Sequence, residues 1–320
     1  MSKTGRHIVL TGAGGFIGRR LAHRLLVEPA FGDAQLTLAD IAIQDPPADP
    51  RVRTVIGDLT DCALLEEMID GRADIVFHLA GVLGGAAESN YALSRRVNLD
   101  ATLNLLEMLR DPDRPPRVIF ASSIAVFGPP LPDLIDDDTT PLPTMNYGAQ
   151  KQMIEVAVEQ FSARGWIDGL AIRLPGIVAR TDADVRLKSA FLNTMFYDFR
   201  EGRNIVLPVG PDGTTWLISA PACIEAFLHA AHLSPDRLAR RRAFTLPAQR
   251  TTIADLIDAL RERFPTSATV ISYAPDPALE AQFARQPLLT TMIADALGFR
   301  HDGSLAALVE QAMKHQGVTL

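Results

Sequence analysis

Tyr147 and Lys151, in the segment Tyr147-Gly-Ala-Gln-Lys151, form the pair in this chain best suited to moving a proton. Residues four apart share one face of a helix, so the two side chains project into the same space if Tyr147 stands in a helix's first turn. A phenol titrates at about pH 10 when unperturbed, and a neighbouring ammonium favours its anion. Tyr147 can then act as a general base near neutrality. Upstream, Val118-Ile119-Phe120-Ala121 reads as a short buried strand delivering Ser122 and Ser123 at its carboxyl end, where open α/β sheets place ligands. The Ser123 hydroxyl is suited to holding a substrate oxygen. A Tyr-x-x-x-Lys spacing is common on helix surfaces and gains meaning only from what surrounds it.

What surrounds it is a dinucleotide turn. Ile8-Val9-Leu10-Thr11 reads as an apolar strand, Gly12-Ala13-Gly14-Gly15-Phe16-Ile17-Gly18 as the turn, and the following residues, with Leu21, Leu25 and Leu26, as an amphipathic helix. Glycines serve the tight turn, the close approach of backbone to a pyrophosphate and the packing of helix on strand, and the helix N-terminus then faces the phosphates. The spacing Gly12-x-x-Gly15-x-x-Gly18 departs from G-x-G-x-x-G in its first interval. A second strand, Leu36-Thr37-Leu38-Ala39, ends in Asp40, 22 residues beyond Gly18, where an acid would accept from the adenosine ribose. A carboxylate there repels a 2′-phosphate, and Ile41-Ala42-Ile43 brings no arginine, so NAD is favoured over NADP.

Strands near 7–11, 35–39, 52–56, 74–78, 117–121 and 169–173 alternate with helical segments, the pattern of a doubly wound parallel sheet of the Rossmann type. Past about residue 175 the chain turns to irregular Pro-rich segments and apolar helical runs at 221–233, 253–264 and 304–315. The reading is therefore a dinucleotide-binding and catalytic domain over 1–175. A mainly substrate-binding region covers 176–320 and can return elements to the first domain. The 320 residues suffice for a full core, and a net charge of −7 makes no case for nucleic acid. Two cysteines, Cys62 and Cys223, make no disulfide scaffold, and no metal-ligand spacing appears. With no long apolar run or leader pattern, the expectation is a soluble cytoplasmic enzyme.

The glycine turn, Asp58-Leu59, His78-Leu79-Ala80-Gly81, Val97-Asn98, Ser122-Ser123 with Val126-Phe127-Gly128, Tyr147 with Lys151, and Arg173-Leu174-Pro175 together resemble the extended short-chain dehydrogenase/reductases, often labelled NAD-dependent epimerase/dehydratase. The resemblance spans essentially the whole chain. It implies that Gly12, Gly15, Phe16, Ile17 and Gly18 form the cofactor turn, that Asp58 and Leu59 contact the adenine, and that Leu79, Ala80, Gly81, Pro175 and Ile177 line the cofactor. It also implies that Asn98 organises the active-site helix, that Ser122 lies near the nicotinamide, and that Ser123, Tyr147 and Lys151 are catalytic, the last two also touching NAD. A homodimer through the helices near 90–110 and 147–163 is expected as in related members, with stripes Leu99, Leu103, Leu106, Leu109 and Met153, Ile154, Ala157, Phe161 that partly face the sheet.

Nucleotide-sugar epimerases of this family usually carry an Arg-Asp-Phe-Val-His-Val-Asp-Asp-like segment whose arginine helps bind phosphates. Here it reads Thr215-Trp216-Leu217-Ile218-Ser219-Ala220-Pro221. Loss of that two-point partner argues for a smaller substrate. Gly81–Glu88, Ser123–Gly128, Arg173–Arg180 and Trp216–Ser219 resemble the D-erythronate dehydrogenase group of the superfamily, whose members oxidise the C2 hydroxyl of a four-carbon sugar acid with NAD. Arg180 is the candidate for the substrate carboxylate, with a surface or interdomain ion pair as the competing role, and Trp216 is either a pocket wall or core. His78 reads as a packed residue at the cofactor edge, Arg240-Arg241-Arg242 as a solvated face, and Cys223 as a small hydrophobe. An epimerase or dehydratase that reduces and reoxidises its own NAD stays open beside the dehydrogenase.

Overall fold

Continuous apolar runs, rather than alternating ones, mark strands buried on both faces, and every residue of β1 (His7–Thr11) is buried. In a computed structural model, which describes residues 5–180, 190–238 and 241–314, β1 is followed by β2 (Gln35–Asp40), β3 (Val52–Ile56), β4 (Ile75–His78), β5 (Arg117–Ser123), β6 (Leu134–Ile135) and β7 (Asp168–Leu174). The second half adds β8 (Gly176–Val178), β9 (Ile205–Leu207), β10 (Thr214–Ser219), β11 (Ala243–Thr245), β12 (Gln249–Thr252), β13 (Ile271–Tyr273) and β14 (Leu288–Leu289). Seven strands form one parallel sheet in the order β11-β7-β5-β4-β1-β2-β3. The order reverses between β1 and β4, the switch point where such sheets bind dinucleotides.

The chain divides into two units. The first comprises Met1–Gly128, Pro141–Arg173 and Ala226–Phe244. It contains helices α1 (Phe16–Val27), α2 (Cys62–Ile69), α3 (Gly84–Ser89), α4 (Tyr91–Ser94), α5 (Thr102–Met108) and α6 (Asn146–Ala163). Its core joins Val9, Val76, Val118 and Phe120 of the strands to Met68, Leu105, Leu106, Leu109, Ile154 and Phe161 of the helices. Four of the residues assigned to dimer stripes, Leu106, Leu109, Ile154 and Phe161, are thus core side chains. Leu103 of α5 and Met153 and Val156 of α6 are exposed, as is Tyr91 of α4. The segment expected as one helix near 90–110 is interrupted: α4 and α5 are joined by wide π-type turns over Arg95–Ala101. A turn of this kind sets a side chain off the regular helical face and often marks a functional site, and here it carries the buried Asn98.

Arg242 is a correction. It lies on no solvated face: its guanidinium is mostly buried and pairs at 2.7 Å with Asp168, which also accepts from Arg117. Arg240 is outside the described residues.

The second unit comprises Pro129–Thr140, Leu174–Glu225 and Thr245–Leu320. In it β10 pairs with β8 in parallel and with β12 antiparallel. Its helices include α7 (Phe191–Glu201), the start of α8 (Ala220–His232) and α9 (Ile253–Arg263), the last capped by Thr252, whose side chain accepts from Asp255 N–H. Met195, Phe196, Phe199, Leu207, Leu217, Leu256 and Leu308 form a core of its own. Among the described residues, no helix is long and apolar enough to cross a membrane.

Candidate active site

β1 ends at Thr11, and Gly12 turns the chain with φ +71°, a conformation that favours glycine. A Cβ there would also lie 2.7 Å from the Ala80 nitrogen, so the turn sits directly against the end of β4. Gly14 is held as closely, because a Cβ on it would collide with the Ala42 carbonyl oxygen. Gly18, in the first turn of α1, abuts the Gly12 carbonyl in the same way. Gly15 differs: a Cβ would meet only Gly12 O, at 3.3 Å. That open side lies at the N-cap of the 12-residue α1, where no side chain caps the helix. The first-turn N–H groups, Phe16 and Ile17 among them, have no acceptor within the helix, so the turn offers donors of the kind that suits an anion.

Asp40 closes β2 and faces this turn. One carboxylate oxygen accepts from Gly14 N–H at 2.9 Å, and the other from Ile41 N–H at 2.7 Å. A carboxylate has about four acceptor positions, so capacity for ribose hydroxyls remains. After β3, Leu59 is buried and the exposed Asp58 accepts from Thr60 N–H. After β4, Leu79 and Ala80 follow His78, whose Nδ1 lies 2.7 Å from Thr11 Oγ1 and Nε2 2.9 Å from Thr102 Oγ1. Burial, then the Lys151 charge, pushes the His78 pKa down to about 3. His78 is therefore a neutral tie between β1, β4 and α5.

The candidate catalytic residues stand on α6 and at the end of β5. Tyr147 is in the first turn of α6, as the spacing requires. A Cβ on the neighbouring Gly148 would collide with Ala125 O, so the helix start rests on the turn that begins at Ser123. Ser123 Oγ accepts from Ala125 N–H at 3.1 Å. One helical turn on, Lys151 is buried, with Nζ 5.6 Å from the Tyr147 ring centroid and donating to Ala121 O at 2.7 Å. Burial lowers its pKa to about 8, against the opposing pull of Glu155. It stays charged at neutral pH. A Cβ on Gly81 would lie 3.7 Å from this Nζ, which puts the chain after β4 beside the same ammonium.

Two buried residues bonded around these side chains escaped the sequence reading. Glu155 accepts from Ser122 Oγ at 2.5 Å and pairs with Arg173 at 2.8 Å, all three buried. Its signal was present, since Tyr147, Lys151 and Glu155 stand at i, i+4 and i+8 on one helix face. Gln150 is bonded to Asn98, and no spacing rule marks it.

The remaining candidates belong to the second unit. Pro175 and Ile177 are buried, one between β7 and β8 and the other within β8. Trp216 on β10 is fully buried, and its indole N–H donates to Pro287 O at 2.9 Å, so its side chain has no donor left to offer. Arg180, past β8, donates its backbone N–H to Asn193 Oδ1 at 2.8 Å, while its Nε is buried without a partner. Buried donors are ordinarily bonded to protein, water or a ligand, so this nitrogen has a hydrogen bond to give. Burial raises the Cys223 thiol to about 12, leaving it unreactive.

Residues 8–232 match the NAD dependent epimerase/dehydratase family. The chain is 36% identical to a D-erythronate dehydrogenase of Cupriavidus necator, over 98% of this chain and 99% of that one. A second D-erythronate dehydrogenase, from Haemophilus influenzae, is 31% identical over 96% and 99%. Among solved structures, the nucleoside-diphosphate-sugar epimerase from Agrobacterium tumefaciens aligns with a TM-score of 0.90 at 30% identity, covering 98% of this chain and 94% of that one. A GalE-like L-threonine dehydrogenase from Cupriavidus necator, 24% identical with a TM-score of 0.84 and coverage of 96% and 98%, shares the fold. With the glycine turn, Ser123, Tyr147 and Lys151 standing together at one sheet edge, the chain belongs to the NAD-dependent epimerase/dehydratase family of extended short-chain dehydrogenases/reductases, and it is an enzyme.

Proposed function

We propose that the enzyme oxidises a small sugar acid with NAD, and that the substrate is D-erythronate, giving 2-dehydro-D-erythronate. The observation that carries this reading is full-length similarity to two D-erythronate dehydrogenases combined with an intact Ser123, Tyr147 and Lys151. When bound, NAD supplies the acceptor for the hydride that leaves the hydroxyl-bearing carbon. Tyr147 takes the hydroxyl proton, Ser123 holds the oxygen as it becomes a carbonyl, and the Lys151 charge favours the phenolate that begins the cycle. Arg180, with its unspent Nε, is the residue we assign to the carboxylate. The nucleotide-sugar reading loses support in the segment Thr215–Pro221, which lacks the arginine that nucleotide-sugar epimerases carry there. Thr215 is buried, and the Thr214 hydroxyl donates to Gln286 O.

Screening four- to six-carbon aldonates for NADH release tests this. Release with D-erythronate is expected, and Arg180→Ala should raise KM for the acid while leaving KM for NAD nearly unchanged. Absence of activity on every aldonate sinks the sugar-acid reading. The epimerase neighbour at 30% identity supports the second reading, which predicts conversion of a nucleotide-sugar with no net NADH.

NAD rather than NADP follows from Asp40, a negative charge at the ribose position with no cation among Ile41, Ala42 and Ile43. Asp40→Ala is expected to weaken NAD and narrow its advantage in kcat/KM without reversing it. An unchanged ratio would show that this acid does not select the cofactor. We also propose a homodimer joined through the faces of α5 and α6 that expose Leu103, Met153 and Val156. Light scattering that reports a monomer at micromolar concentration rejects it.

A further inference from the structure

Gln150 lies one residue before Lys151 and is 2% exposed. Both ends of its amide are committed. Its Oε1 accepts from Asn98 Nδ2 at 2.7 Å, and its Nε2 donates to Ser94 Oγ at 2.9 Å. Asn98 passes the connection on, because its Oδ1 accepts from Val82 N–H at 2.7 Å and its Nδ2 also donates to Val82 O at 3.0 Å. Ser94 Oγ is 3.3 Å from Ala87 O and 3.1 Å from Tyr91 O. These bonds run from α6, through the wide turns and α4, to both ends of Val82–Ala87. That segment follows Gly81, where a Cβ would lie 3.1 Å from Asn98 Oδ1.

Neither helix formation nor core packing asks for a glutamine here, since leucine fits a buried helical position without amide groups to desolvate. The amide does something leucine cannot: it ties the Asn98 and Ser94 side chains, which are bonded to Val82 and Ala87, to the helix that carries Tyr147 and Lys151. We propose that Gln150 is a positioning residue that sets the Gly81–Ala87 wall of the dinucleotide site relative to Tyr147 and Lys151 on its own helix. The proposal rests on the dinucleotide reading of the site and not on the choice of substrate.

Two variants separate positioning from stability. Gln150→Leu removes both bonds but leaves Asn98 bonded to Val82 and Ser94 bonded to carbonyls, so few groups are stranded. Gln150→Glu keeps the acceptor for Asn98 but buries an acid, which lowers stability. The orderings therefore cross: the Leu variant melts at the higher temperature, yet the Glu variant has the higher kcat. Misplacement of about an ångström can cost on the order of 10²-fold in rate, and a loss of that size in kcat is expected for Gln150→Leu. Its KM for the substrate should change little, its calorimetric affinity for NAD should weaken, and its primary deuterium isotope effect should grow. If Gln150→Leu does not fold, Ser94→Ala keeps the Asn98 bond while removing the Gln150–Ser94 bond and the Ser94 Oγ contacts with Ala87 O and Tyr91 O, and is read on the same quantities. Variants whose kcat follows their melting order, or a Leu variant with parental kcat and NAD affinity, overturn the proposal. A wild-type protein that binds no NAD would instead remove the reading beneath it.

Discussion

Tyr147→Phe is expected to bind NAD about as tightly as the parent and to lose on the order of 10²–10⁴-fold in turnover, the usual worth of a positioned acid or base. The ring persists, and its contact with the Lys151 ammonium at 5.6 Å needs no hydroxyl. The backbone of the first turn is seated by Gly148 against Ala125, which the substitution leaves alone. What disappears is the proton acceptor. His78 does not replace it, being held neutral between two threonines with its pKa near 3. Calorimetry with NAD and initial rates on the same preparation decide the matter. A variant keeping half the parental turnover would take Tyr147 out of the mechanism.

The second large effect concerns stability. Glu155→Ala should cost about 3–5 kcal/mol, the loss typical of breaking a buried ion pair by removing one partner. The Arg173 guanidinium, about 10% exposed, would be left without its counter-charge, and the Ser122 hydroxyl would lose its acceptor at 2.5 Å. Replacing both members, Glu155→Leu with Arg173→Met, removes the stranded charge and should restore most of the loss. Urea unfolding of Glu155→Leu, Arg173→Met and the double variant forms a cycle. Losses that simply add would show that the two residues do not act as a pair. The double variant should still turn over poorly, since Glu155 opposes the burial that pulls Lys151 toward deprotonation.

Strand positions and the glycine turn were legible because both are written in local chemistry. An apolar run that needs burial on two faces, or a glycine that must take a positive φ, shows itself within a few residues. Tyr147 and Lys151 were legible for the same reason, being one helical turn apart. Contacts between polar residues distant in sequence were not. Glu155 and Arg173 are 18 residues apart, and Gln150 and Asn98 are 52 apart. In the sequence a buried polar group looks like any surface residue. Arg242 was misread on that account, for a run of three arginines looks solvated until Asp168 is seen beside it. The interruption of the helix over Arg95–Ala101 left no mark either, since neither Gly nor Pro occurs there.

The bond from Gly14 N–H to Asp40 makes cofactor choice and turn geometry one problem. The side chain that would discriminate between the two dinucleotides at their adenosine end also braces the loop meant for their shared diphosphate. An engineer who exchanges it for a small or basic residue to admit the phosphorylated form also removes that brace, so part of what that form gains from the lost charge is given back in a looser loop. Asparagine keeps an acceptor there without the charge, and redesign toward the other coenzyme would best start from it.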